Sequence, residues 1–216
     1  MQHRHESISL VKQVFERLEH DILVGKYERG EVLTEMKLCE ELGVSRTPVR
    51  EALQMLSEEH IIEKGTKGSI VIGISAKDVE DIFQIRLYIE GIAAAKTAKH
   101  ITDEQLAKLK ETLDLQEFYF HRKDPENSRL MDSKFHELIY AFCASAVFYD
   151  VLLPLHRKTQ KYRKATFENN DLGTISIEEH KKIYEAIAAH DEQKANELTI
   201  KHVENAMKRI LDGGIN

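Results

Sequence analysis

The sequence predicts a mainly α chain: a small N-terminal unit of helices closed by a β-hairpin, then an all-α antiparallel helical bundle. Three observations carry this. Apolar residues recur at helical spacing through most of the chain. The stretch Glu63–Gly73, EKGTKGSIVIG, instead alternates like a short hairpin around turn glycines. Beyond Ser75–Lys77 strand signals vanish, which divides the chain into 1–74 and 75–216.

In the first part, Ser9 to Val24 carries Leu10, Val11, Val14, Leu18, Ile22 and Leu23 on one face and ends at Gly25. After a turn over Lys26–Gly30, Thr34 caps a helix bearing Met36, Leu38, Cys39 and Leu42, which Gly43 breaks. Ser45 is placed to cap the next helix through its hydroxyl, and Pro48 falls in the first turn, where a missing N–H costs little. Val49, Ala52, Leu53 and Leu56 then form one apolar stripe, with Arg46, Thr47, Arg50 and Gln54 off it. A helix start bearing Arg and Thr with no acid before Glu51 suits phosphates and base edges. Two helices about a glycine turn, followed by a two-stranded wing, make a winged helix-turn-helix. The wing tip, Lys64 to Gly68 with Lys67, would approach a phosphate backbone.

The second part reads as six helices: Asp78–His100; from a Thr102/Gln105 capping box to about His121; Pro125–Cys143; a long one from Ala146 to about Glu168 capped by Ser145; Ser176–His190 after a loop at Gly173; and one from Asp191 to Leu211, ended by Gly213–Gly214. Asp132 and His136 share a helix face at i, i+4. His180 and His202 each lie about 15 Å from the turn at His190–Asp191, so they are level in an antiparallel hairpin. The same geometry about Ala144–Ser145 sets His156 beside Asp132. One carboxylate and three imidazoles suit Zn²⁺, Ni²⁺, Mn²⁺ or another divalent first-row ion with open positions. Against this, the chain has 11 histidines, and a single histidine is more often solvated or simply hydrogen-bonded than a ligand.

Composition bounds the function. At 42% hydrophobic and 31% charged the chain is globular. It has no apolar run long enough to span a membrane, its start does not read as a signal peptide, and its two cysteines have no metal spacing, so a cytoplasmic protein without a membrane partner is expected. The net charge of −6 argues against nucleic acid, and residues 1–74 hold 10 Lys+Arg against 13 Asp+Glu. Yet Leu42–Arg50 and Lys64–Ile74 contain no acid, and binding needs a basic face rather than a basic domain. Few phosphate contacts per protomer are expected, hence reliance on dimerisation and low salt.

The run from Arg29–Gly30–Glu31–Val32–Leu33 to Leu38, with Leu42–Gly43–Val44–Ser45–Arg46–Thr47–Pro48–Val49–Arg50–Glu51–Ala52–Leu53 and Leu56, closely resembles the DNA-binding domain of GntR-type bacterial transcription regulators. It departs at Cys39, where alanine is usual, and at His60, where glycine is frequent. Arg86–Leu87–Tyr88–Ile89–Glu90, Asp132–Ser133–Lys134–Phe135–His136, Glu179–His180 through Ile187, and Ala195 through His202 resemble the FadR C-terminal ligand-binding (FCD) domain of one GntR branch. The resemblance implies a homodimer on a palindromic double-stranded DNA operator, with Ser45, Arg46, Thr47, Arg50, Lys64 and Lys67 at the DNA. It also implies a metal on Asp132, His136, His180 and His202, and a small carboxylate effector at or near it. Arg86, in an apolar run, is the natural partner for that carboxylate, or else pairs with Glu90 at i+4. His156, Tyr162 and Arg163 are further pocket candidates, although Lys158–Lys164 reads equally as a solvated basic face. Two other functions use the same residues: a regulator for which the ion is itself the signal, and a metal-dependent hydrolase. The second lacks a dedicated base, because Glu137 and Glu179 should point away from the cluster, so no enzyme is expected.

Overall fold

The computed structural model describes residues 9–212 and divides the chain into two compact units, one ending at Ser75 and one starting at Ala76. The first unit holds α1 (Leu10–Leu23), β1 (Val32–Leu33), α2 (Glu35–Leu42), α3 (Arg46–Glu58), β2 (Ile62–Gly65) and β3 (Gly68–Val71). Its core gathers Val14, Leu18 and Ile22 of α1, Leu38 of α2, and the stripe Val49, Ala52, Leu53 and Leu56 of α3, all buried. Thr34 caps α2 by accepting from Lys37 N (3.3 Å), and Gly43 closes it in the left-handed region at φ 66. Ser45 stands at the N-cap of α3, but its hydroxyl makes no capping hydrogen bond, contrary to expectation. The side chain is exposed and leaves the first-turn amides of α3 uncovered. His60 adopts φ 56 just past α3, a conformation glycine takes without strain.

The wing is larger than the hairpin the sequence suggests. β3 pairs antiparallel with β2 (Ile62↔Val71) on one side and with β1 (Val32↔Ile70) on the other, giving the order β1-β3-β2. Two residues were too short a strand to read from periodicity. Gly68 makes the third strand possible: at φ 146, a Cβ there would lie 2.5 Å from Leu33 O.

The second unit is a helical bundle: α4 (Ala76–His100), α5 (Asp103–His121), α6 (Pro125–Phe142), α7 (Ala146–Lys158), a 3-10 turn (Gln160–Arg163), α8 (Lys164–Glu168), α9 (Asn170–Ala188) and α10 (Glu192–Asp212). α10 packs along α4 and α5 along α6. Gly91, Ala93 and Ala94 keep α4 thin, and a Cβ on Gly91 would meet Ile200 Cγ1 at 2.8 Å. The capping box forms as read, with Gln105 N donating to Thr102 Oγ1 and Thr102 N to Gln105 Oε1. Two expectations fail. The helix from Ala146 is not continuous: it stops at Lys158, where buried Thr159 donates its hydroxyl to His156 O (2.9 Å), and a 3-10 turn re-aims the chain before α8. Gly173 is not a loop either. α9 begins at Asn170, capped by Asn169 Oδ1, which accepts from Asp171 N and Leu172 N. Gly173 instead lies under Phe120, where a Cβ would sit 2.3 Å from the ring. Gly213–Gly214 lie outside the described residues. No helix among the described residues is long and apolar enough to cross a membrane.

Two predictions follow from the first unit. Gly68→Ala forces a side chain into Leu33 O and should destabilise this unit by about 2 kcal/mol in urea denaturation; unchanged stability would contradict the β1–β3 pairing. Asp21 is buried and accepts from Arg17 Nε (2.9 Å) and Lys26 Nζ (2.8 Å). Burial by itself would raise its carboxyl, but these two hydrogen bonds outweigh it and hold the group below its ordinary value. A carboxyl lowered by folding adds stability that is complete above its unfolded value of about 3.9 and is lost as pH falls through the folded one. Asp21→Asn should therefore destabilise the unit at pH 7 and flatten its acid unfolding, measured by circular dichroism between pH 7 and 2.

Candidate functional site

In the first unit, α3 presents Arg46, Thr47 and Arg50 on its exposed side, opposite the buried stripe. Arg50 is two-thirds exposed, and its Nε donates to Glu35 Oε1 on α2 (3.1 Å). That pair holds the guanidinium near the N-terminal end of α3. Lys64 and Lys67 are exposed on the wing, Lys67 in the two-residue loop joining β2 to β3. Their faces carry the positive charge that the chain as a whole lacks.

In the second unit, α6, α9 and α10 converge on a buried polar cluster. His136 Nε2 lies 3.2 Å from His202 Nε2, and His180 Nε2 lies 3.3 Å from the same atom. Asp132 Oδ1 is 3.7 Å from His180 Nε2. All four residues are buried. The outer ring nitrogens are pinned: His180 Nδ1 donates to Gln116 Oε1 (2.9 Å) and His202 Nδ1 donates to Glu179 Oε2 (2.7 Å). Each of those rings therefore turns an Nε2 lone pair inward. Two acceptors 3.3 Å apart repel unless a cation lies between them, and the three histidine nitrogens form a donor set that suits a divalent ion; Asp132, 3.7 Å from His180 and paired with Arg163, lies beside that set rather than within it.

Electrostatics agree with that geometry. Burial, reinforced by the neighbouring imidazoles and, for each ring, at least one nearby guanidinium, pushes His136 and His180 well below the ordinary imidazole value. They are neutral, with lone pairs available. Burial would raise Glu179, but hydrogen bonds from His202 and Arg209 outweigh it and hold the carboxyl at about 2. Glu179 thus corrects the expectation that it points away: it orients His202 and also accepts from Asn205 Nδ2 (2.7 Å). Glu137 pairs with Lys134 at 3.2 Å.

The pocket candidates separate. Arg163, on the 3-10 turn, is buried; its Nη1 donates to Asp132 Oδ2 and its Nη2 to Ser133 Oγ (3.3 Å), and its Nε has no hydrogen-bond partner. Arg86 is buried too but committed, donating to Glu90 Oε1 and to Thr159 Oγ1 (3.2 Å), which is the i+4 alternative. His156 is buried with its ring 4.7 Å from that of His136; like Asp132, it lies outside the three converging donors, His136, His180 and His202. Tyr162 is half-buried on the 3-10 turn. A cavity of about 20 Å³, room for one water, opens among Arg86, Asp132, His136, Arg163, His202 and Arg209. Gln116 and Arg209 escaped the sequence reading. Gln116 did leave a sign, a polar residue continuing the stripe of Leu109 and Leu113 on α5.

Comparison with known proteins matches both units of the chain. The model of the bacterial regulatory proteins of the gntR family matches residues 10–72, and that of the FCD domain matches residues 81–205. YdhC of Bacillus subtilis, an HTH-type transcriptional regulator, is 26% identical over 208 residues, covering 94% of this chain and 92% of that protein. The gluconate operon transcriptional repressor of Bacillus licheniformis is 35% identical over 118 residues, covering 55% of this chain and 49% of that protein. Among solved structures, McbR/YncC of E. coli superposes with a TM-score of 0.84 at 23% identity, covering 96% of this chain and 99% of that one, a likeness of fold. With one family model spanning more than half of its residues and a second covering the helix-turn-helix and wing, the chain belongs to the GntR family: a transcription regulator with an N-terminal helix-turn-helix domain and a C-terminal FCD domain.

Proposed function

We propose that this regulator acts in the cytoplasm as a homodimer on a palindromic operator, its affinity set by a small carboxylate effector bound at or near a divalent metal. The convergence of three histidine nitrogens, with the Asp132 carboxylate 3.7 Å from one of them, carries the effector half of this reading. Residues 1–74 are the DNA-binding domain, and 75–216 bind the effector and dimerise. Asp132, His136, His180 and His202 would hold the ion, Zn²⁺, Ni²⁺ or Mn²⁺, which when bound supplies a positive centre for a carboxylate oxygen. Arg163 is a better second anchor than Arg86, because its Nε lacks a partner while Arg86 is tied to Glu90 and Thr159. With room for one water, the chamber must open for an organic effector, and the 3-10 turn that carries Arg163 is the segment that would move. His156 and Tyr162 would border the opened chamber.

Burial of all four ligands and the anchoring of two rings by Gln116 and Glu179 favour a resident ion over an ion that comes and goes as the signal. The effector shifts DNA affinity only so far as it binds the DNA-competent and DNA-incompetent arrangements unequally.

At the DNA, Arg46 or Arg50 reads guanine and the other meets phosphate, with Thr47, Ser45, Lys64 and Lys67 beside them. On a site that the native protein enriches from a random DNA pool, Arg50→Ala should lose specific binding in a gel shift; undiminished affinity would remove Arg50 from the interface. With three cationic side chains per protomer on phosphates and one arginine on guanine, log K should fall with log salt at a slope of about −5, and Lys67→Ala should make it shallower by about 2. Elemental analysis of untagged protein purified without chelator should find about one metal per chain, absent from Asp132→Ala and His202→Ala. Metal-free native protein after exposure to Zn²⁺, Ni²⁺ and Mn²⁺ would reduce the cluster to polar packing.

A further inference from the structure

His202 stands between two spaces. Its Nε2 edge faces the cluster, 3.2 Å from His136 Nε2 and 3.3 Å from His180 Nε2. Its Nδ1 edge donates to Glu179 Oε2 (2.7 Å). Glu179 lines an open groove of about 350 Å³ between α9 and α10, together with Ile175, Glu178, Leu198 and Asn205. On the cluster side lies the chamber of about 20 Å³. His202 lines both, so a single imidazole ring separates the groove from the chamber.

The two spaces differ in what they admit. Arg86, Arg163 and Arg209 line the chamber, and the Asp132 carboxylate there is taken by Arg163. Arg163 Nε and Arg209 Nε have no hydrogen-bond partner. That lining offers N–H donors, which suit an anion and oppose a divalent cation. The groove offers acceptors instead, with Glu178 at its exposed rim and the Glu179 carboxylate against His202. Lys182 and Lys201 share the rim, but both are exposed to screening solvent, and Lys201 is bound to Glu204 (3.2 Å). We infer that the groove between α9 and α10 is the entry for the cluster's divalent ion, with Glu179 as the receiving ligand and the His202 ring as the moving partition. Glu179 accepts from His202 Nδ1 and Arg209 Nη2 at Oε2 and from Asn205 Nδ2 at Oε1. A cation reaching either oxygen competes with those donors. Loss of the Nδ1 bond unlatches His202. A half-turn of its ring then presents the Nε2 lone pair to the groove, and the return turn restores it to the cluster, with no proton gained or lost. The arginine-lined side is left to the carboxylate.

This path rests on the metal reading and adds the route to that site. The test is stopped-flow binding of Co²⁺ to the full-length chain freed of metal, read by the visible absorption of the bound ion, with release timed by excess chelator and folding checked by circular dichroism. Ile175, 48% exposed, lies in the groove and outside the cluster. Ile175→Trp plugs the groove and so raises one barrier crossed in both directions: association and release should both slow about 10-fold, and Kd should hold. Glu178→Lys should slow association about 3-fold at low salt and less at high salt. Glu179→Gln keeps an acceptor for His202 Nδ1 without the charge and should slow association about 10-fold. A Glu179 that only orients His202 would alter release instead. Native rates in Ile175→Trp and Glu178→Lys overturn this path and leave the metal site standing. Variants that change Kd through release alone overturn it as well. A native chain that takes up no Co²⁺ overturns the metal reading and this inference with it.

Discussion

His180 and His202 meet inside the bundle with their Nε2 lone pairs turned toward one another, and His136 Nε2 joins them at 3.2 Å. Gln116 on α5 and the Glu179 carboxylate on α9 fix the tautomers of the first two, so a simple proton rearrangement does not relieve the contact. A buried polar atom without a partner costs about 1–3 kcal/mol, and this cluster gathers several. The helices carrying it are far apart in sequence, α6 on one side and the α9–α10 hairpin on the other. A cation bound there ties these segments together, so its binding energy is also folding energy. Much of the bundle follows from that point. Phe135 stacks on His180 with ring centroids 4.6 Å apart, Arg163 neutralises the outer oxygen of Asp132, and Arg209 holds Glu179.

Features written in local chemistry were legible in the sequence. The glycine turn at Gly43, the Thr102/Gln105 box and the stripe on α3 depend on residues within one or two turns of each other, and each forms as read. Asp132, His136, His180 and His202 could be aligned because two hairpin turns set helical distances. What escaped belongs to tertiary contacts. Gly173 reads as a helix breaker, yet it serves to let α9 approach Phe120. Thr159 looks unremarkable inside a basic run, but its hydroxyl ends α7 and accepts from Arg86 Nη1, 73 residues away in sequence. Glu179 could not be assigned from helix phase alone, since its long side chain reaches across to α10. β1 is two residues long and exists only because β3 offers it an edge.

The charge distribution puts a further condition on the first unit. With more acids than bases there, each cation at the interface matters more than it would on a basic domain. Arg50 donates to Glu35, on the neighbouring helix. The pair is exposed, so it contributes little to stability. Its consequence is orientational: the pair restricts the guanidinium's rotamers, so on the proposed reading fewer would be lost when Arg50 meets a base or a phosphate.

α4 borders the chamber on one face and is exposed on the other. Arg86 and Glu90 point inward, where Arg86 borders the chamber beside the histidines and bonds Thr159 at the end of α7; Ile85, Tyr88 and Ile92 point outward. Packed helices do not bend to absorb a displaced side chain, because interiors are too dense to yield locally. On the proposed reading, an effector that drew Arg163 from Asp132 would change the turn that follows Thr159, and Thr159 is bonded to α4. That displacement would be carried along α4 as along one rigid helix. The coupling needs no long chain of intermediates, only two arrangements of α4 that the effector binds unequally.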